Sequence, residues 1–265
     1  MSAGAWRITS ARPESQPQPS ETFPLTEVQQ AYWVGRNPDV PLGGVSTHYY
    51  YEIEGNDLDL PRLEASLNNL IKHHEMLRAV ILPDGTQRIL NDTPYYKVTV
   101  ADESQTDEAA KEATLLAIRN ELSQQVLPCD QWPLFDIRAC LLPDHKTRLF
   151  MSFDALVLDE RSRNTFFLQW KKLYRDPEAS LPSPEGSFRE FVLAEAAHRE
   201  SEDYASAKEY WESQIPSLPP SPELPLTASL EHVLEPKYSH LDGTLSEQKW
   251  TIGVVSAIGV PGAGI

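Results

Sequence analysis

Two alternating apolar runs joined by a tight turn constrain this chain most. Phe135, Ile137, Ala139 and Leu141 alternate with other residues, Pro143-Asp144-His145 follows, and Leu149, Met151 and Phe153 alternate again. A period of two on both sides of a turn spells an antiparallel hairpin with one face turned to a core. Its second strand ends at Asp154. A core-facing hairpin needs something to pack on, and the flanking sequence changes to helical period. From Asp59 to about Leu77, Leu63, Leu67, Leu70, Ile71 and His74 fall on one helical face, with Asp59 placed to cap and Pro61 in the first turn. A second helix is expected over 107–126, where Leu115, Ile118, Leu122 and Val126 keep helical spacing behind an acidic first turn. A third is expected over 160–175, with Phe166, Phe167, Trp170, Leu173 and Tyr174 on one face, and a fourth, more polar one over 187–213.

Further strands are expected at 46–53, where Tyr49, Tyr51 and Ile53 alternate, and at 95–100. Two short apolar runs around Pro83-Asp84-Gly85 read as another hairpin. Strands, hairpins and helices together predict a mixed α/β (α+β) fold. Residues 1–22, rich in Pro, Gln, Ser and Glu, are expected to form a flexible N-terminal tail. Residues 215–236 hold six prolines and read as an extended linker. The last fifteen residues carry no charge and four of the twelve glycines, an atypical tail that suits neither a helix nor a membrane span.

Composition excludes several function classes. The 265 residues carry 23 Lys+Arg against 39 Asp+Glu, a formal net charge of −16, which disfavours gripping nucleic acid or an anionic bilayer. No run is long and apolar enough to span a membrane, and the N-terminal stretch lacks the apolar segment of a secretory signal, so a soluble, cytoplasmic protein is expected. Two isolated cysteines, Cys129 and Cys140, suit ordinary reduced thiols rather than a zinc knuckle or a redox pair. His73 and His74 lie on a helix and suit core or rim positions better than a metal site, since no HExxH, HxH or EF-hand spacing occurs. Dinucleotide, P-loop and esterase-elbow glycine patterns are absent from the sequence.

The most site-like stretch is MSFDALVLDERS, in which Asp154, Asp159 and Ser162 follow a strand and precede a helix. A carboxylate at a strand end beside apolar residues can have its proton affinity raised by desolvation and act as general base or acid. The same residue types are the preferred helix caps and loop hydrogen-bond acceptors, which residue type alone favours, and spacing does not identify a reaction.

Four segments, in order, resemble the heterocyclization domains of non-ribosomal peptide synthetases. FPLTEVQQAYWVGR (23–36) is similar to the family's opening motif, and KHHEMLRAVILPDGTQ (72–87) to its second. DALVLDERS (154–162) fits its DxxxxDxxS signature, and LPPSPELPL (218–226) its LPxxPxLPL motif. The resemblance covers residues 23 to about 250. It implies a lobe like chloramphenicol acetyltransferase, one of two that enclose a tunnel for phosphopantetheine-tethered substrates. It also implies no directly bound cofactor, and carrier proteins and other synthetase modules as partners. The implied reaction joins a carrier-bound acyl thioester to carrier-bound Cys, Ser or Thr and cyclodehydrates the product to a thiazoline or oxazoline, as in siderophore biosynthesis.

Carried over by position, Asp154, Asp159 and Ser162 are the implied tunnel-facing residues. The related condensation domains carry HHxxxDG in that loop; here it holds no histidine, which disfavours an acetyltransferase-like general base. Segments like GDFT and PVVFTS, expected in the second lobe, are absent, and the match ends after Leu241-Asp242-Gly243-Thr244-Leu245-Ser246. Residues 23–214 are therefore expected to form an N-terminal lobe and 215–250 the link to a second, without which the chain is expected to be inactive. Rival readings are a non-catalytic carrier-binding lobe, a truncated or frameshifted remnant, and a single-lobe trimeric acyltransferase, which the missing histidine disfavours.

Overall fold

The computed structural model describes residues 22–220, together with Pro225 and Val233. The tail over 1–21, most of the segment after 220 and the glycine-rich end lie outside the described residues, as does most of the LPxxPxLPL match.

In chain order the elements are β1 (Phe23–Pro24), α1 (Glu27–Gly35), β2 (His48–Asn56), α2 (Leu60–His73), a 3-10 turn (Glu75–Arg78), β3 (Ala79–Ile81), β4 (Thr86–Ile89), β5 (Thr99–Asp102), α3 (Glu108–Leu122), β6 (Phe135–Leu141), β7 (Lys146–Asp154), α4 (Glu160–Arg175), α5 (Phe188–His198) and α6 (Glu202–Gln214). The larger sheet has the order β2-β7-β6-β5, and the smaller has the order β1-β4-β3. β6 and β7 form the expected antiparallel hairpin, with Phe135 opposite Phe153 and Ile137 opposite Met151. Leu142 N–H donates to Lys146 O, leaving residues 143–145 as the turn, and Asp144 and His145 both take φ 58°, left-handed backbone that tight hairpin turns use. β5 pairs parallel to β6, which requires a crossover, and α3 supplies it.

Alternation along the hairpin sends its side chains to two cores. Phe135, Ile137, Ala139, Leu149, Met151 and Phe153 join Leu63, Leu67, Leu70 and Ile71 of α2 and Phe166, Trp170 and Leu173 of α4. On the opposite face Cys140, Leu142 and Phe150 meet Leu115, Ile118 and Leu122 of α3. The sheet is thus covered on both sides, which is why β7 is buried from Leu149 to Asp154. Within the main core the Trp170 indole N–H donates to Ser66 Oγ at 3.0 Å and pins α4 to α2.

Several expectations need correction. The single helix expected over 187–213 is two, because Ser201 starts a new one by accepting from the Tyr204 N–H, while Arg199 closes α5. The helix expected to reach Val126 ends at Leu122, leaving Val126 42% exposed. α2 stops at His73 and tightens into a 3-10 turn instead of running to Leu77. The strand expected over 95–100 lies at 99–102. Its first residues bond to α2 instead: Tyr96 N–H donates to Asn68 Oδ1 at 2.8 Å and Val98 N–H to Glu64 Oε2 at 3.0 Å. α1 was not anticipated from periodicity; a reciprocal capping box between Thr26 and Gln29 starts it.

Candidate functional site

The loop between β7 and α4 is held at its start from two sides. Asp154, the last residue of β7, donates its N–H to Leu134 O at 3.0 Å, and the next residue, Ala155, donates to Thr47 O at 2.9 Å. Leu156, Val157 and Leu158 then plunge into the main core, at 1%, 6% and 5% exposure. The two acidic residues that flank this apolar stretch lie in opposite environments, Asp154 buried and Asp159 exposed.

Asp154 is buried and fully engaged. Its Oδ2 forms an ion pair with Arg36 of the α1 C-terminus, the two side chains 3% and 8% exposed. The Ser46 hydroxyl donates to the same oxygen at 2.8 Å. Oδ1 accepts the Leu156 N–H at 3.0 Å. Arg36 also donates to Ser46 Oγ at 2.9 Å and to the Leu127 carbonyl. The surroundings of Asp154 are thus a guanidinium, a hydroxyl and a backbone N–H, rather than the apolar setting expected to convert it into a free base. A group bound in this way can fix a loop.

Asp159 is exposed and caps α4, its Oδ1 accepting the Ser162 N–H at 2.7 Å. Ser162, also exposed, sits in the first turn of the helix. The structure therefore does not bring Asp154 and Asp159 together as a carboxylate pair. It sets one inside as an anchor and leaves the other, with Ser162, at the accessible helix entry.

Beside that entry stands a cationic and aromatic wall. Arg163 donates to Tyr51 Oη at 2.8 Å and to Glu160 Oε1 at 2.8 Å. Its guanidinium carbon lies 5.8 Å from the Tyr49 ring centroid and 5.7 Å from that of Tyr51, within cation-π reach. Burial, then the negative charge of Glu160 and the other nearby phenol and carboxylate groups, pushes the Tyr49 hydroxyl above its ordinary value, so it remains a neutral donor. Tyr51 packs edge-on against Phe167 at 5.5 Å.

The second motif reaches the first through a turn. Gly85 has φ 78°, a left-handed backbone that favours glycine, and a Cβ there would lie in ordinary van der Waals contact, 3.4 Å, with the Trp33 ring. Sequence reasoning named Asp154, Asp159 and Ser162 but not Arg36 or Ser46. Arg36 was visible only as the last residue of the first motif, 118 positions from its partner.

The histidines and cysteines occupy the bland positions expected of them. His74 Nε2 lies 2.6 Å from Gln169 Oε1, His73 Nε2 lies 3.0 Å from Pro182 O, and burial pushes His74 below its ordinary range. Both thiols are free, and burial pushes both upward. Among the described residues no helix is long and apolar enough to cross a membrane.

The two-sided mixed sheet with its flanking helices matches solved condensation-type domains, whose lobes have the chloramphenicol acetyltransferase-like fold. Residues 20–250 match the Condensation domain family model, and the chain belongs to that family. It is 34% identical over 230 residues to bacitracin synthase 1 of Bacillus licheniformis, covering 87% of this chain and 4% of that protein. It is 37% identical over 217 residues to phenyloxazoline synthase MbtB of Mycobacterium sp. (strain MCS), covering 80% of this chain and 18% of that one. In three dimensions it resembles the EpoB cyclization-docking bidomain from Sorangium cellulosum with a TM-score of 0.80 at 33% identity, covering 87% of this chain and 46% of that one. The chain thus spans under half of that structure and a small part of the curated relatives it matches.

Proposed function

We propose that this chain forms the N-terminal lobe, residues 23–214, of a heterocyclization domain of a non-ribosomal peptide synthetase, in a siderophore or related peptide pathway. The reaction joins two substrates on carrier-protein phosphopantetheine arms. The amine of a tethered Cys, Ser or Thr attacks the acyl thioester carbonyl; the C–N bond forms, the C–S bond breaks, and the departing thiol takes the proton. The side-chain thiol or hydroxyl then adds to the new amide carbonyl, and loss of that oxygen as water leaves a C=N bond in a five-membered thiazoline or oxazoline ring. Holding both arms in one tunnel supplies the effective concentration that the first step needs.

The observation that carries this reading is the histidine-free loop over 154–162, with Asp154 anchored and Asp159 and Ser162 at the accessible helix entry. Similarity to a phenyloxazoline synthase and to a cyclization bidomain supports it. In this reading Asp154 fixes the loop, while Asp159 and Ser162 face the reactants. The matched cyclization-docking chain is about twice as long as the matched stretch, which supports the reading that a second lobe, in whatever polypeptide it resides, completes the tunnel.

The test is reconstitution: the full chain is mixed with a separately expressed second lobe, an acyl-loaded donor carrier and a Cys-loaded acceptor carrier. A cyclised product that requires this chain supports the reading. Carrier binding without product overturns it in favour of a non-catalytic docking lobe. Absence of both refutes any carrier-dependent role.

A further inference from the structure

Burying side-chain amides in a core is costly unless every donor and acceptor is met. Two glutamines here meet that condition across three separate segments. Gln29 of α1 is 5% exposed and Gln87 of β4 is 0% exposed. The Gln29 Nε2 group donates to Gln87 Oε1 at 3.0 Å and to Leu156 O at 2.7 Å. The Gln87 Nε2 group donates back to Gln29 Oε1 at 2.9 Å and to Pro24 O at 2.9 Å. Gln29 Oε1 also accepts the Thr26 N–H at 3.0 Å.

The pair bonds to the β7–α4 loop at the Leu156 carbonyl, midway between Asp154 and Asp159. Apolar residues of similar size would fill the same space, so the amides contribute direction rather than volume. We propose that Gln29 and Gln87 form a clamp that positions the 154–159 loop through the Leu156 carbonyl. They are positioning residues for the reaction proposed above, and to that extent the inference rests on that reading. The clamp itself does not, since it predicts a local property of the chain alone.

The experiment measures amide hydrogen exchange at Leu156 and Val157 in the full chain, with Phe150 and Met151 in the middle of β7 as controls for global folding. Gln29→Met removes the donor to Leu156 O together with the acceptor of Gln87 Nε2 and the Thr26 N–H, and should speed loop exchange about ten- to hundredfold at every pH while the β7 amides hold. Gln29→Glu can donate only when protonated, and burial raises its proton affinity. Protonated, it offers one O–H where the amide offers two N–H donors, so its loop should exchange nearer the wild-type rate at about pH 6 and about tenfold faster than wild type at about pH 8, where the donor is gone. Unchanged loop exchange in Gln29→Met overturns the clamp; if that variant fails to fold, a pH-independent Gln29→Glu loop overturns it. In the reconstituted reaction, Gln29→Glu should lower kcat at about pH 8 with KM for the carriers little changed, and recover in part at about pH 6. An unaffected kcat overturns the positioning role. Lack of turnover by the wild type refutes the functional reading, and the exchange result still decides the clamp.

Discussion

Replacing Arg36 with Met tests the anchor of the candidate loop. Met keeps length and apolar volume but removes the cation from Asp154, the donor from Leu127 O and one partner of Ser46. Asp154 would retain the Ser46 hydroxyl and the Leu156 N–H, yet its charge would stay buried without a counter-ion. Stranding one member of a buried pair costs about 3–5 kcal/mol. With a denaturant slope of about 2 kcal/mol/M in urea, the unfolding midpoint should fall by about 1.5–2.5 M, a large share of an ordinary domain's stability. Combining Arg36→Met with Asp154→Asn removes the stranded charge and should restore roughly half of the loss. Urea unfolding of the full chain, followed by tryptophan fluorescence, reads both. A midpoint shift below about 0.5 M, or a double variant no better than the single one, would refute the assignment of Arg36 and Asp154 as a structural pair.

Asp159 separates its two roles by substitution: Asp159→Ala should cost about 1 kcal/mol through the lost cap, while Asp159→Asn keeps the cap and should leave stability within about 0.5 kcal/mol. If Asp159 serves the reaction as a carboxylate, Asp159→Asn should abolish cyclised product despite its intact stability; retained turnover would return the residue to capping alone. Phe166→Ala should cost about 3–5 kcal/mol in the same unfolding assay, since the ring is 2% exposed and packs on Phe153 and Trp170. Burial holds His74 neutral below its ordinary range, so the unfolded chain binds the proton more readily. Stability should therefore fall as pH drops from about 6.5 through the lowered native value, and His74→Gln should flatten that part of the profile. A slope unchanged by the substitution would locate the titration elsewhere.

How far the fold could be read depended on whether local pattern and tertiary demand agreed. The β6–β7 hairpin, α2 and α4 were legible because alternation, the Asp59 cap and the 3.6-residue face all serve one core. The break between α5 and α6 was missed because Ser201, which caps α6, reads as one more polar residue in an already polar stretch. β5 was misplaced because hydrogen bonds from α2 side chains outcompete a strand over 96–98, a tertiary effect that residue pattern does not carry. At the site, the three residues named from the sequence sit on one loop, but their division of labour depends on Arg36 and Ser46, both more than a hundred positions from Asp154. Periodicity has no access to a partner at that distance.

The central claim is settled most directly by the intact mass of the acceptor carrier after reaction with the full chain, a second lobe and a loaded donor. Heterocyclization should add the acyl group and then remove one water, with both changes lost when this chain is omitted. An acceptor that gains the acyl group without losing water would contradict cyclisation, and one left at its starting mass would contradict condensation as well.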